Sequence, residues 1–289
     1  MSLSFALLFV LASGQQNFPH SPLLARHSTI GDHLSYHMTC VNQDRARTVR
    51  YSATANGIVG CDPTGRHYEE FGWSDMIVDN KPFELPASSL AFHQTHSLEP
   101  GFYPPFPNLS QVSPMLIGPI TDLMTFYVDL QMAMTRPDIA KAGDHAFVPL
   151  GRPASWADGS NVLIGEDAID FDIKLKSVDR KRDVATVVVD HVPSAKPNIK
   201  LLADWMRQRV ADTPNNWVQV TKNPEGEFVV GVGKETFHVE IKVRISDGKL
   251  LSATQDNVVE VMERTCSNPY LNDPGKPIRY RIHRYITIR

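Results

Sequence analysis

The chain has 289 residues, 42% of them apolar and 21% charged, with a formal net charge of −3. That length and apolar content allow one large β domain or two small ones around a sizeable core, and they exclude a disordered chain. There is no basic excess to neutralise phosphates, so neither a nucleic acid nor an anionic membrane surface is expected as a partner.

Residues 1–14 read as an export leader. Phe5 to Ala12 is a short apolar run ending in Ala12-Ser13-Gly14, a small-x-small cleavage pattern, although no Lys or Arg precedes it. The run is too short to span a membrane, which takes about 20 apolar residues. Residues 15–289 then read as a single β-rich domain, exported to a periplasmic or extracellular space. An oxidising compartment would let two of the three cysteines pair. Cys40 with Cys61 is the favoured pair, and Cys266 is the alternative partner for either.

The first strand block runs over 34–97. Leu34–Cys40 and Thr48–Val59 make two strands, and Arg66–Val78 a third, with His67, Glu69, Phe71 and Trp73 on one face. An imidazole and a carboxylate beside an aromatic ring suit a hydrolytic site or a sugar platform, so His67 and Glu69 are catalytic candidates and Trp73 a ligand-binding one. His93-Gln-Thr-His96 sets two imidazoles three residues apart, a weak metal-binding candidate with Glu99 nearby. On a strand those two rings point to opposite faces. An irregular excursion over 86–114 is dense in proline, and its aromatics imply that it packs onto the body.

Residues 117–135 are the clearest helix. Ile120, Leu123, Met124, Tyr127, Leu130 and Met134 recur at three- and four-residue steps before Pro137. Met124, Met132 and Met134 make the helix face deformable. A core-facing helix and a cover over an apolar cavity are both compatible with this, and the second makes Met124, Tyr127 and Met134 ligand-binding candidates. Asp144 and His145 follow in Gly143-Asp-His145, a further carboxylate and imidazole for acid–base work. Trp156, in Ser155–Gly159, is either a loop anchor or a ligand contact.

The second block covers 162–288. Its strongest pattern is Phe237, Val239, Ile241, Val243 and Ile245 alternating with charged residues. Asp247-Gly248 predicts a two-residue hairpin turn, and Lys249–Glu263 a returning strand with a bulge near Gln255–Asn257. Pro197–Arg209 predicts a short helix, and Ile278–Ile288 the last strand.

Blocks of strands with a helix between them, rather than alternating βαβ units, predict a mainly β (α+β) fold. The expected form is a large curved antiparallel sheet or half-barrel, with the long helix packed in its concave face. Nucleophile elbows and Cys-x-x-Cys are missing, and Gly231-Val-Gly233 lacks the spacing of a nucleotide loop, so no cofactor is expected. The leading functional expectation is an exported soluble protein binding an apolar small molecule or lipid, or an amphipathic ligand. A secreted hydrolase and an envelope-associated structural protein are the alternatives.

Overall fold

The computed structural model describes Ser21 and residues 23–45, 47–105, 107–156 and 162–289. The leader 1–14 and residues 157–159 of the Trp156 loop lie outside the described residues.

Fourteen strands form one antiparallel sheet: β1 (His33–Asp44), β2 (Arg47–Cys61), β3 (His67–Val78), β4 (Lys81–Pro82), β5 (Gln94–His96), β6 (His145–Val148), β7 (Ala154–Ser155), β8 (Val162–Asp167), β9 (Ile169–Asp179), β10 (Val184–Pro193), β11 (Trp217–Lys222), β12 (Phe228–Arg244), β13 (Leu250–Cys266) and β14 (Ile278–Ile288). The main path runs β4-β3-β2-β1-β14-β13-β12-β10-β9-β6, and the sheet stays open. The strands β11, β8 and β7 branch from the far half of β12, while β5 pairs with β3. Two α-helices join them, α1 (Ala87–Leu90) and α2 (Pro114–Met134). Among the described residues no helix is long and apolar enough to cross a membrane.

The predicted helix is real and starts three residues earlier. Ser113 caps it, accepting a hydrogen bond from the Met115 N–H, and Pro114 takes the first position, where a missing N–H costs little. Sixteen of its 21 residues are buried, among them Asp122, Asp129 and Gln131. A helix dry on nearly every side must find partners for such polar groups inside the protein. Gln131 meets that need by donating to the backbone carbonyls of Glu99 and Phe102, each at 2.9 Å, which fastens the Pro-rich excursion to the body.

The remaining expectations divide. Pro197–Arg209 is not a helix; only a 3-10 turn forms, at Asp204–Arg207, because Ala203 and Gln208 at its flanks are extended. The Asp247-Gly248 turn belongs to a five-residue loop, Ile245–Lys249, between β12 and β13. Gly248 has a φ of +67°, and a Cβ there would sit 2.5 Å from the Ala25 carbonyl oxygen. Asp183 and Asp247 carboxylates take the Ser246 and Lys249 N–H groups, and the Ile245 and Gly248 N–H groups donate to Asp183 O and Arg244 O. No bulge interrupts Gln255–Asn257; the register shift falls between Lys242 and Val243.

The expected disulfide is absent, and all three cysteines are free. Register explains this. Cys40 lies opposite Tyr51, and Cys61 is ten residues further along β2. At about 3.3 Å per residue that is roughly 33 Å, far beyond disulfide reach. Burial pushes the Cys40 thiol up to about 11, which leaves it protonated and inert at neutral pH.

The N-terminal segment is stitched to this body. The Ser21 N–H donates to Met134 O at 2.7 Å, and the His27 N–H to Asp247 O at 2.8 Å.

Candidate functional site

Cross-strand partners share a sheet face, so the register defines two faces without reference to burial. The inner face, against which α2 packs, carries Val243, Ile241, Val239 and Phe237 of β12, then Glu235, Gly233, Gly231 and Val229 with the same parity. No register shift intervenes between Phe228 and Lys242. Its neighbours are Gln255, Asn257, Val259, Val261 and Glu263 of β13, and Ile286, Arg284, Ile282 and Tyr280 of β14. One face therefore holds three zones: an apolar zone under α2, a buried polar belt, and a far end that contains a cleft.

Under α2 the helix carboxylates are paired, while Arg284 Nη1, His191 Nδ1 and both amide atoms of Gln255 have no partner. Asp122 accepts from Arg284 at 2.7 and 3.0 Å and from the Tyr51 hydroxyl. Asp129 meets His191 Nε2 at 2.9 Å, with the imidazole 4.7 Å from both Phe171 and Phe237. Burial raises the Asp129 carboxyl pKa, and His191 opposes that rise. The Tyr127 hydroxyl donates to Glu69, whose other oxygen takes Arg26 Nε at 2.8 Å. Burial, reinforced by the Glu69 charge, holds the Tyr127 phenol well above its ordinary range.

Several sequence candidates meet in this network. His96 stacks on Tyr127 at 4.8 Å, Gln94 Nε2 lies 2.6 Å from His96 Nε2, and Trp73 Nε1 donates to Gln94 Oε1 at 3.1 Å. Burial pulls the His96 imidazole down to about 3, so at neutral pH its Nε2 accepts from the Gln94 amide. Glu69, Trp73, His96, Tyr127 and Met134 are all buried, and Met124 is half-buried. His67 stands at the rim, its Nδ1 2.8 Å from the Ser28 hydroxyl.

The other candidates are dispersed. His93 turns to the opposite face from His96 and pairs with Glu70 at 3.4 Å. Asp144 accepts the Ala140 and Lys141 N–H groups in a turn, which holds its carboxyl below the usual range. His145 pairs with Asp172 on the exposed side of β6 and β9. Among the described residues no group of three or more His, Cys, Asp or Glu side chains is arranged to hold a metal.

The polar belt comes next along the face. Glu235 and Asn216 bond reciprocally, the Glu235 N–H donating to Asn216 Oδ1 at 2.8 Å and Asn216 Nδ2 to Glu235 O at 3.1 Å. Asn257 Nδ2 donates to Glu235 Oε1 at 3.2 Å. Asp167 on β8, opposite Trp217, has its carboxyl pKa raised well above the ordinary value by burial and by the carboxylates of Glu235 and Glu166.

Beyond the belt lies a cleft of about 270 Å³, walled by Asp44, Arg45, Trp217, Gln219, Thr221, Val229, Gly231, Glu263, Tyr280 and Ile282. Arg45, at a φ of +50° in the β1–β2 turn, lays its guanidinium 4.4 Å over the Tyr280 ring and pairs with Glu263. The Tyr280 hydroxyl donates to the same carboxylate at 2.9 Å, and burial with the Glu263 charge raises its pKa. Gly231 makes room for the floor: a Cβ there would lie 3.0 Å from the Trp217 ring. Trp156, the one sequence candidate close by, packs with Trp217, Val261 and Ile282 in the apolar cluster beside the cleft.

Sequence reasoning did not single out Arg45, Trp217, Glu263 or Tyr280. The parity pattern contains a usable sign: Glu263 continues the buried series Val259, Val261, and Tyr280 precedes Ile282 on the apolar side of β14. Comparison with family models, with curated proteins and with solved structures finds no match to this chain.

Proposed function

We propose that this is an exported ligand-binding protein whose site is the Arg45–Trp217–Glu263–Tyr280 cleft. One observation carries the reading: the face that α2 covers along part of β12 and β13 is left as an open, aromatic and polar hollow at its far end. Aromatic walls with a few converging polar groups are the usual make-up of a small-molecule site. The length and composition of residues 1–14 support export.

A trough-like sheet is part of the same reading. The side chains that bind α2 come from β3 (Glu69), β2 (Tyr51), β14 (Arg284) and β10 (His191). In sheet order β3 and β10 are six strand spacings apart, about 29 Å if the sheet were flat. Tyr127 and Asp129, which meet β3 and β10, are only two residues apart on a helix about 10–12 Å across, and this supports a sheet that curls round it. The helix then fills one length of the trough and a ligand the other, which moves the amphipathic ligand expected beside Met124 and Met134 to the opposite end.

Saturation-transfer NMR of the purified protein against a fragment library, repeated on Tyr280→Phe, Gly231→Ala and Met124→Leu, tests the assignment. The cleft variants are expected to lose binding and Met124→Leu to retain it. Loss in Met124→Leu alone would return the ligand to the helix.

A further inference from the structure

We infer that the cleft takes a neutral, polyhydroxylated ring, a pyranose-sized sugar either free or at the end of a glycan. This rests on the cleft being the ligand site, and it follows from what the cleft wall offers and lacks.

Charge is the first constraint. Two carboxylates, Asp44 and Glu263, face one guanidinium, Arg45, which is already paired with Glu263. Asp44 has no ion-pair partner among the described residues, so the wall keeps a net negative charge that repels phosphate, sulfate and carboxylate ligands. A cation meets the opposite obstacle, because Arg45 occupies the Tyr280 ring face where an ammonium group would sit.

Hydrogen bonding is the second. Asp44 Oδ1 is a buried acceptor without a partner, as is Asn42 Oδ1 two residues earlier on the same strand face. Trp217 Nε1 is a buried donor without a partner, in a side chain only 2% exposed. Hydroxyl groups both donate and accept, so a polyol matches a wall that carries acceptors and donors side by side. An acyl chain serves neither and would strip water from Asp44, Arg45 and Glu263 without replacement.

Size and shape are the third. The 270 Å³ volume falls just below the roughly 300–1,000 Å³ of drug-sized sites, which suits one or two rings. Val229, half-buried on the wall, can meet the C–H face of a sugar with Trp217 and Ile282 buried behind it, while Asp44, Gln219, Thr221 and Glu263 meet its rim.

Isothermal titration with methyl hexopyranosides, their hexuronate counterparts, sodium phosphate, octanoate and tetramethylammonium tests this on the full chain. A neutral hexoside is expected to bind at least tenfold more tightly than its uronate, and to lose tenfold or more in Glu263→Gln and in Thr221→Val, each checked for an unchanged thermal transition. Tightening along an oligosaccharide ladder would identify a glycan end, and constant affinity a free sugar. Binding of phosphate, octanoate or tetramethylammonium in the cleft, with no hexoside binding, would overturn the sugar assignment and leave the cleft as the ligand site. Silence from every probe and from the fragment library would remove both.

Discussion

The two ends of one sheet face treat polar groups differently. Under α2 every carboxylate on the helix is matched: Asp122 with Arg284 and Tyr51, and Asp129 with His191. At the far end Trp217 Nε1 on β11 and Asp44 Oδ1 on β1 have no partner and belong to side chains that wall a hollow. A satisfied polar network fixes a unique packing, whereas an unsatisfied one is a place where a ligand has something to add. Both ends contain unpartnered atoms, but at the helix end they are packed in with paired carboxylates, whereas at the far end they belong to the wall of a hollow.

The contrast is broken most forcefully at Arg284. Arg284→Met leaves the buried Asp122 carboxylate without its counter-charge, with only the Tyr51 hydroxyl as partner, which costs about 3–5 kcal/mol in urea unfolding. The cleft counterpart, Glu263→Gln, breaks a pair whose guanidinium is 44% exposed and costs at most about 1 kcal/mol by the same measurement. Equal losses at the two positions would erase the distinction between the ends. Leu123→Ala, at a fully buried helix position, is expected to cost about 2–5 kcal/mol.

The helix end also has a pH signature. His96 is pulled down to about 3 by burial, against an ordinary value near 6.5. Below pH 6.5 the unfolded chain therefore binds the proton that the folded one refuses. Stability from this group is complete above pH 6.5 and is lost as pH falls toward 3, by about 1.4 kcal/mol per unit. Unfolding midpoints of His96→Gln measured from pH 7 to pH 4 should fall less steeply than those of the parent. Smallest in stability is Gly231→Ala. Its new methyl presses on the Trp217 ring, so ligand affinity should drop while the thermal transition moves by no more than a few degrees.

Much of this architecture is legible in the sequence, because period-two alternation and a three-and-four helical repeat are local signals. Phe237 to Val243 and Ile169 to Leu175 announce their strands, and Ile120 to Met134 the helix. The inner polar residues are not legible, for one physical reason. Gln255, Asn257 and Arg284 occupy core parity but have polar side chains, so they read as a bulge or as a wet face. Asn257 and Arg284 are tolerable inside because each has a partner away in sequence, as Arg284 has in Asp122, 162 residues earlier, while the Gln255 amide has none among the described residues. The cleft is hidden in the same way, since Arg45, Trp217, Glu263 and Tyr280 come from four separate elements and none sits in a motif. His67 and Glu69 were legible as a shared face, but that face turns inward, and Glu69 is committed to Tyr127 and Arg26.

The strap at Ser21–His27 sets a limit on trimming the chain. A chain begun anywhere upstream of Ser21 keeps its bonds to Met134 and Asp247. A version begun at Ser28 would forfeit them together with the Arg26 guanidinium, stranding the Glu69 carboxylate in the interior beside Tyr127. Expression trials should therefore begin the chain no later than Ser21.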